Sequence, residues 1–83
     1  MGTHGGTPVY APGLVLVTFK SFVDPKARRN MVTERKGFIR RWNTERDTIL
    51  IEVPEGTEAE TVEYFCRAPG VVLANQVSAD AVR

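Results

Sequence analysis

Apolar positions fall at every second residue on both sides of Leu14-Val15-Leu16-Val17-Thr18-Phe19-Lys20. Val15, Val17 and Phe19 share one face and Leu14, Leu16 and Thr18 the other, which predicts a strand that carries apolar side chains on both sides. Pro12-Gly13 marks the turn before it. Asp24-Pro25 then supplies an N-cap and a first helical residue, and Gly37 a stop, so a helix is expected between them. Its apolar stripe is thin. Ala27, Met31, Val32 and Arg35 are expected to face the core, with Lys26, Arg28, Arg29, Asn30 and Glu34 in solvent.

Phe38-Ile39-Arg40-Arg41-Trp42-Asn43 and Thr48-Ile49-Leu50-Ile51-Glu52-Val53 flank the polar run Thr44-Glu45-Arg46-Asp47, the pattern of a β-hairpin with a four-residue loop. Trp42 fits either face of it. Thr57-Glu58-Ala59-Glu60 has the form of a capping box before a second helix, in which Ala59, Val62, Phe65 and Cys66 recur at helical spacing as the expected buried face. Pro69-Gly70 ends that helix, and Val71 to Gln76 forms a last strand. The order is β-α-β-β-α-β. It predicts an α+β, ferredoxin-like sandwich in which one four-stranded antiparallel sheet has both helices on one face.

That architecture leaves the other sheet face bare. Leu14, Leu16 and Leu50, with one alternate set from the last strand that includes Leu73, are the expected docking surface, because neighbouring aliphatics on an open sheet exceed what a lone monomer usually shows. A one-residue slip in register would reverse these assignments. The expected organisation is a flexible arm over 1–11, a folded domain over 12–76 and an extended tail over 77–83.

Composition narrows the function. Eighty-three residues make one small domain, of a size that buries only about 60–65% of its unfolded surface, so a bound partner would contribute support. Cys66 is the single cysteine, which excludes an internal disulfide, and no His/Cys/Asp spacing suits a metal. No apolar run approaches the length of a membrane span, and residues 1–8 lack the basic start and apolar core of a signal peptide. Gly6 stands where a myristoylation motif wants Ser or Thr. No cofactor is expected.

The one histidine, His4, lies in the expected arm, no phosphate-cradling glycine loop is present, and the carboxylates form helix-surface runs. These features predict a non-enzyme without catalytic or metal-binding residues. Charge is split along the chain, with nine Lys/Arg against three Asp/Glu in 1–46 and two against seven in 47–83, and mutual neutralisation of the two halves is the simplest outcome. Lys36-Gly37-Phe38-Ile39 begins like the RNA-contacting motif of RNA-recognition domains, with Arg40, Arg41 and Trp42 beside it. The next aromatic of that motif is replaced by arginine, and the segment falls on the second strand instead of the third. Single-stranded nucleic acid is therefore the alternative partner, behind a protein. A plain interaction or oligomerisation module is a third possibility.

Three segments carry a resemblance. Pro12-Gly13-Leu14-Val15-Leu16-Val17-Thr18-Phe19-Lys20 resembles the "PGxVIVxFK" opening of the propeptide and inhibitor family of subtilisin-like serine proteases. Ile49-Leu50-Ile51-Glu52-Val53-Pro54-Glu55-Gly56 resembles that family's third strand and turn, and Ala68-Pro69-Gly70-Val71-Val72-Leu73-Ala74-Asn75 its closing "xPGVxYAEPN". Together they span about residues 12 to 83. The resemblance implies an intramolecular folding chaperone and inhibitor of a subtilase, acting in cis or in trans, and for a propeptide a place in the secretory pathway. It also implies that the open sheet face packs on surface helices of the protease. Val77, Ser78, Ala79, Asp80, Ala81, Val82 and Arg83 would then be the tail in the cleft, with Arg83, Val82, Ala81 and Asp80 filling the first to fourth specificity subsites. Asn75 and Gln76 replace acidic residues that cap the enzyme's helices in relatives, and Asp80 stands where many subtilases prefer an apolar side chain.

Overall fold

The computed structural model describes residues 10–79. Its elements are β1 (Tyr10–Phe19), α1 (Pro25–Glu34), β2 (Phe38–Asn43), β3 (Thr48–Glu52), α2 (Glu58–Arg67) and β4 (Val71–Ser78). The four strands form one antiparallel sheet in the order β2-β3-β1-β4, which is the ferredoxin-like βαββαβ arrangement.

Two rows of side chains cross the helix-covered face. One is Ile39–Ile51–Val15–Gln76 and the other Trp42–Ile49–Val17–Ala74. Val32 of α1 and Phe65 of α2 close over them to make the core, in which Phe19 and Phe65 meet edge to face at 6.2 Å between ring centroids. The expected inward set Val15, Val17 and Phe19 is buried.

Ile39 and Trp42 share this face although they are three residues apart. A β-bulge makes that possible, because Ile39 pairs with Ile51 while Arg41 already pairs with Leu50, leaving Arg40 as the extra residue. A second bulge leaves Val72 unpaired between Val71, opposite Phe19, and Leu73, opposite Thr18.

Several boundaries and faces differ from expectation. Tyr10 and Ala11 belong to β1 instead of an arm, and Tyr10 pairs with Ser78, so β4 runs two residues beyond Gln76. The rest of the expected arm, residues 1–9, lies outside the described residues. On α1, Ala27 is exposed and Arg28, expected in solvent, is only 4% exposed. Its Nε donates to the Val23 carbonyl at 2.9 Å, and its Nη2 reaches the Lys20 carbonyl at 3.3 Å and Asp47 Oδ1 at 3.1 Å. The guanidinium also sits 5.1 Å from the Phe19 ring centroid. Arginine is buried here because backbone carbonyls and a carboxylate converge on it.

The second helix also differs. Thr57 donates its hydroxyl to the Pro54 carbonyl at 2.6 Å and makes no capping bond, so the capping box does not form. Glu58 takes over, accepting from Gly56 N at 2.8 Å and Gly13 N at 2.6 Å. Thr61 and Phe65 form the buried line, while Ala59 and Cys66 are exposed. Cys66, expected in the core, instead lies at the helix flank with Sγ 3.8 Å from the Ala74 carbonyl.

Candidate docking surface

The face of the sheet away from the helices carries two complete rows. Arg41–Leu50–Leu16–Asn75 crosses all four strands, and Asn43–Thr48–Thr18–Leu73 lies beside it toward the β2–β3 hairpin. Leu16 is 36% and Leu73 44% exposed, with Leu50 half-buried between its neighbours. The hydroxyls of Thr18 and Thr48 are 3.3 Å apart across the β1–β3 pair. This is a continuous surface of aliphatic and hydroxyl groups, with Arg41 and Asn43 at its β2 end and Asn75 and Leu73 at its β4 end.

Of the six residues expected on it, the structure brings Leu16, Leu50, Leu73 and Asn75 together. Leu14 pairs with Glu52 on the same face but is only 7% exposed, so it offers little area. Gln76 pairs with Val15 and therefore sits on the helix side, opposite Asn75. Alternation along β4 forces that separation.

Of the expected tail, Val77 and Ser78 are part of β4, and Ala79 follows directly. Asp80, Ala81, Val82 and Arg83 lie outside the described residues. β4 is an edge strand, paired with β1 alone, so the chain leaves the sheet at its border. It leaves at the end where Tyr10 and Ser78 pair, opposite the end that carries the β2–β3 hairpin.

Three residues of this face were absent from the expected set. Phe38 is 74% exposed and pairs with Glu52, and Arg41 and Arg46 flank Leu50 and Thr48 near the hairpin. The signal that places Arg40 and Arg41 both in solvent is the bulge, whose only trace in sequence is the three-residue spacing of the apolar pair Ile39 and Trp42. Arg40 meets Glu52 at 3.3 Å. Trp42 is turned to the helix side, where the Arg29 guanidinium lies 5.5 Å from its ring centroid. It is therefore not on the open face, where an RNA-recognition domain would stack bases.

Among the described residues two titratable groups are shifted, both away from this face. The Gly13 N–H holds the Glu58 carboxyl below its ordinary value, aided by the Glu58 and Gly56 N–H groups and opposed by burial. Burial pushes the Tyr64 phenol up, as does its 2.8 Å hydrogen bond to Glu34. No group of three or more His, Cys, Asp or Glu able to hold a metal occurs among the described residues.

A scan against protein-family models, a search of curated proteins and a search of solved structures each return no match for this chain.

Proposed function

We propose that this domain binds and inhibits a subtilisin-like serine protease, either as a propeptide that also assists the protease's folding or as a free-standing inhibitor. The open sheet face docks on the enzyme, and the segment after β4 lies along the active-site cleft. The observation that carries this reading is the pairing of two features on one sheet. Leu16, Leu50 and Leu73 form an uncovered aliphatic surface, and the edge strand β4 is the element that the C-terminal segment follows in sequence. The resemblance of the three sequence segments adds independent weight.

In this mechanism the docked face holds the segment 79–83 in place, and that segment gains main-chain hydrogen bonds by adding an extended strand to the cleft. Cleavage product held by a docked body leaves slowly, so inhibition is competitive. Because Val77 and Ser78 are committed to β4, the cleft segment begins after them. The test is titration of the domain into several subtilisin-type proteases with a small peptide substrate, and chymotrypsin as control. Competitive inhibition of at least one subtilase, sparing chymotrypsin, is expected. No inhibition of any of them at micromolar domain would refute the reading.

A further inference from the structure

On the helix side of the sheet, away from the open face, a hollow of about 450 Å³ lies where the β1–α1 loop, the start of α1 and the β2–β3 hairpin meet. Trp42 forms one wall, with the Arg29 guanidinium 5.5 Å from its ring centroid, and Val23 and Pro25 add apolar surface. Ser21 and Thr44 bring hydroxyls to it from the two loops. Arg28 lines it too, although its side chain is only 5% exposed. Nε and Nη2 make all three hydrogen bonds of that guanidinium, to the Val23 and Lys20 carbonyls and to Asp47. Nη1 makes none, yet the only buried side-chain nitrogen or oxygen without a partner among the described residues is Arg35 Nε. Nη1 is therefore the tip of Arg28 that stays open, and the hollow is where it opens.

We propose that this hollow binds a phosphate monoester, with its phosphate on Arg28 Nη1. A guanidinium already held by three hydrogen bonds presents its remaining N–H groups without a further ordering cost, and its near-burial strengthens the attraction for an anion. Asp47 is the one carboxylate on the hollow, and it is turned to Nη2, the other tip. Two guanidiniums against one carboxylate select an anion. A phosphate fits better than a carboxylate because the donors come from four side chains, Arg28, Arg29, Ser21 and Thr44, and a phosphate has more oxygens to receive them. The hollow is larger than a bare phosphate needs and falls in the size range of small-molecule sites, so a short carbon skeleton fits beside it against Val23, Pro25 and Trp42. Neither the open sheet face nor the C-terminal segment takes part, so the inference stands apart from the inhibitor reading.

The test titrates the 83-residue chain, at constant ionic strength, with glycerol phosphate, inorganic phosphate, acetate and glycerol. Emission of Trp42, the single tryptophan, reports on the wall of the hollow, and shifts of isotope-labelled protein locate the site. Glycerol phosphate is expected to give a saturable change at millimolar concentration or below, at least as tightly as inorganic phosphate, with acetate about fivefold weaker or more and glycerol silent. Amide shifts are expected at Ser21, Arg29 and Thr44. The Arg28 guanidinium signal should move as well, which tests that buried side chain without replacing it. R29Q, at an exposed position, and S21A/T44V should each weaken the ester about threefold or more, and R67E, on α2, should leave it unchanged. No saturable change with either phosphate probe at millimolar concentration, acetate binding as tightly, exclusion of the ester where inorganic phosphate binds, shifts confined to other parts of the domain, or an unmoved Arg28 guanidinium would each overturn the proposal.

Discussion

Arg28 shows how one side chain ties distant segments together. Its three hydrogen bonds join the β1–α1 loop, through Lys20 and Val23, to Asp47 in the hairpin loop. Asp47 also accepts Phe19 N–H at 2.8 Å and has φ of 55°, a conformation that Asp and Asn tolerate better than most residues. Asp47→Asn keeps that backbone but leaves a buried guanidinium without its counter-charge, which is expected to cost about 2–4 kcal/mol, measured by urea unfolding. An unchanged midpoint would show that the two carbonyls satisfy Arg28 alone. Sequence could not reveal this residue, because an arginine inside an amphipathic helix reads as solvated until the loops that meet it are placed.

Glu58 acts at the same scale. Gly13 has φ of 74°, and a Cβ there would lie 2.8 Å from the Val53 carbonyl, so only glycine brings its N–H to the carboxylate. Since the folded-state pKa of Glu58 is lowered, its contribution to stability is fully present above the ordinary glutamate range and is lost as pH falls through the folded value. Glu58→Gln is expected to cost about 1–2 kcal/mol at neutral pH and to flatten the acid limb of the stability profile. Denaturant midpoints of both proteins from neutral to acid pH check this; parallel curves would contradict it.

At the level of elements, the end of α1 is set by two neighbours with different tasks. Lys36 takes the left-handed position, with φ of 59°, while Lys36 N donates to Thr33 O at 2.9 Å and Gly37 N to Val32 O at 2.9 Å, a Schellman closure. Gly37 sits where space is tight. A Cβ there would lie 3.1 Å from Val32 Cγ1 and 3.2 Å from the Glu52 carbonyl. Lys36→Gly is therefore expected to stabilise by about 0.5–1 kcal/mol and Gly37→Ala to destabilise, both read from thermal or urea unfolding.

Element order, the hairpin loop and the inward face of β1 were legible in sequence because Gly, Pro and alternation mark them locally. The outward face was legible only in part. Leu16, Leu50, Leu73 and Asn75 follow from simple alternation, whereas Gln76, which the resemblance carries onto the docking surface together with Asn75, falls on the opposite face of β4. Phe38, Arg41 and Arg46 emerge only when the bulge at Arg40 and the pairing of β2 with β3 are known.

For the whole molecule, the proposed docking face and the C-terminal segment belong to a single small domain, and β4 connects them. Val77 and Ser78 extend the edge of the sheet, so a chain ending at Gln76 loses strand pairing as well as the segment beyond it. A chain ending at Ala79 keeps every described element. The most direct measurement is the inhibition constant of the 83-residue chain and of the chain ending at Ala79, against one susceptible subtilisin-type protease, with circular dichroism to compare their folds. The account predicts equal folds, competitive inhibition by the full chain and at least about a hundredfold weaker inhibition by the shorter one, the loss expected when extended-strand pairing in the cleft is removed. Equal inhibition by both, or none by either, would contradict it.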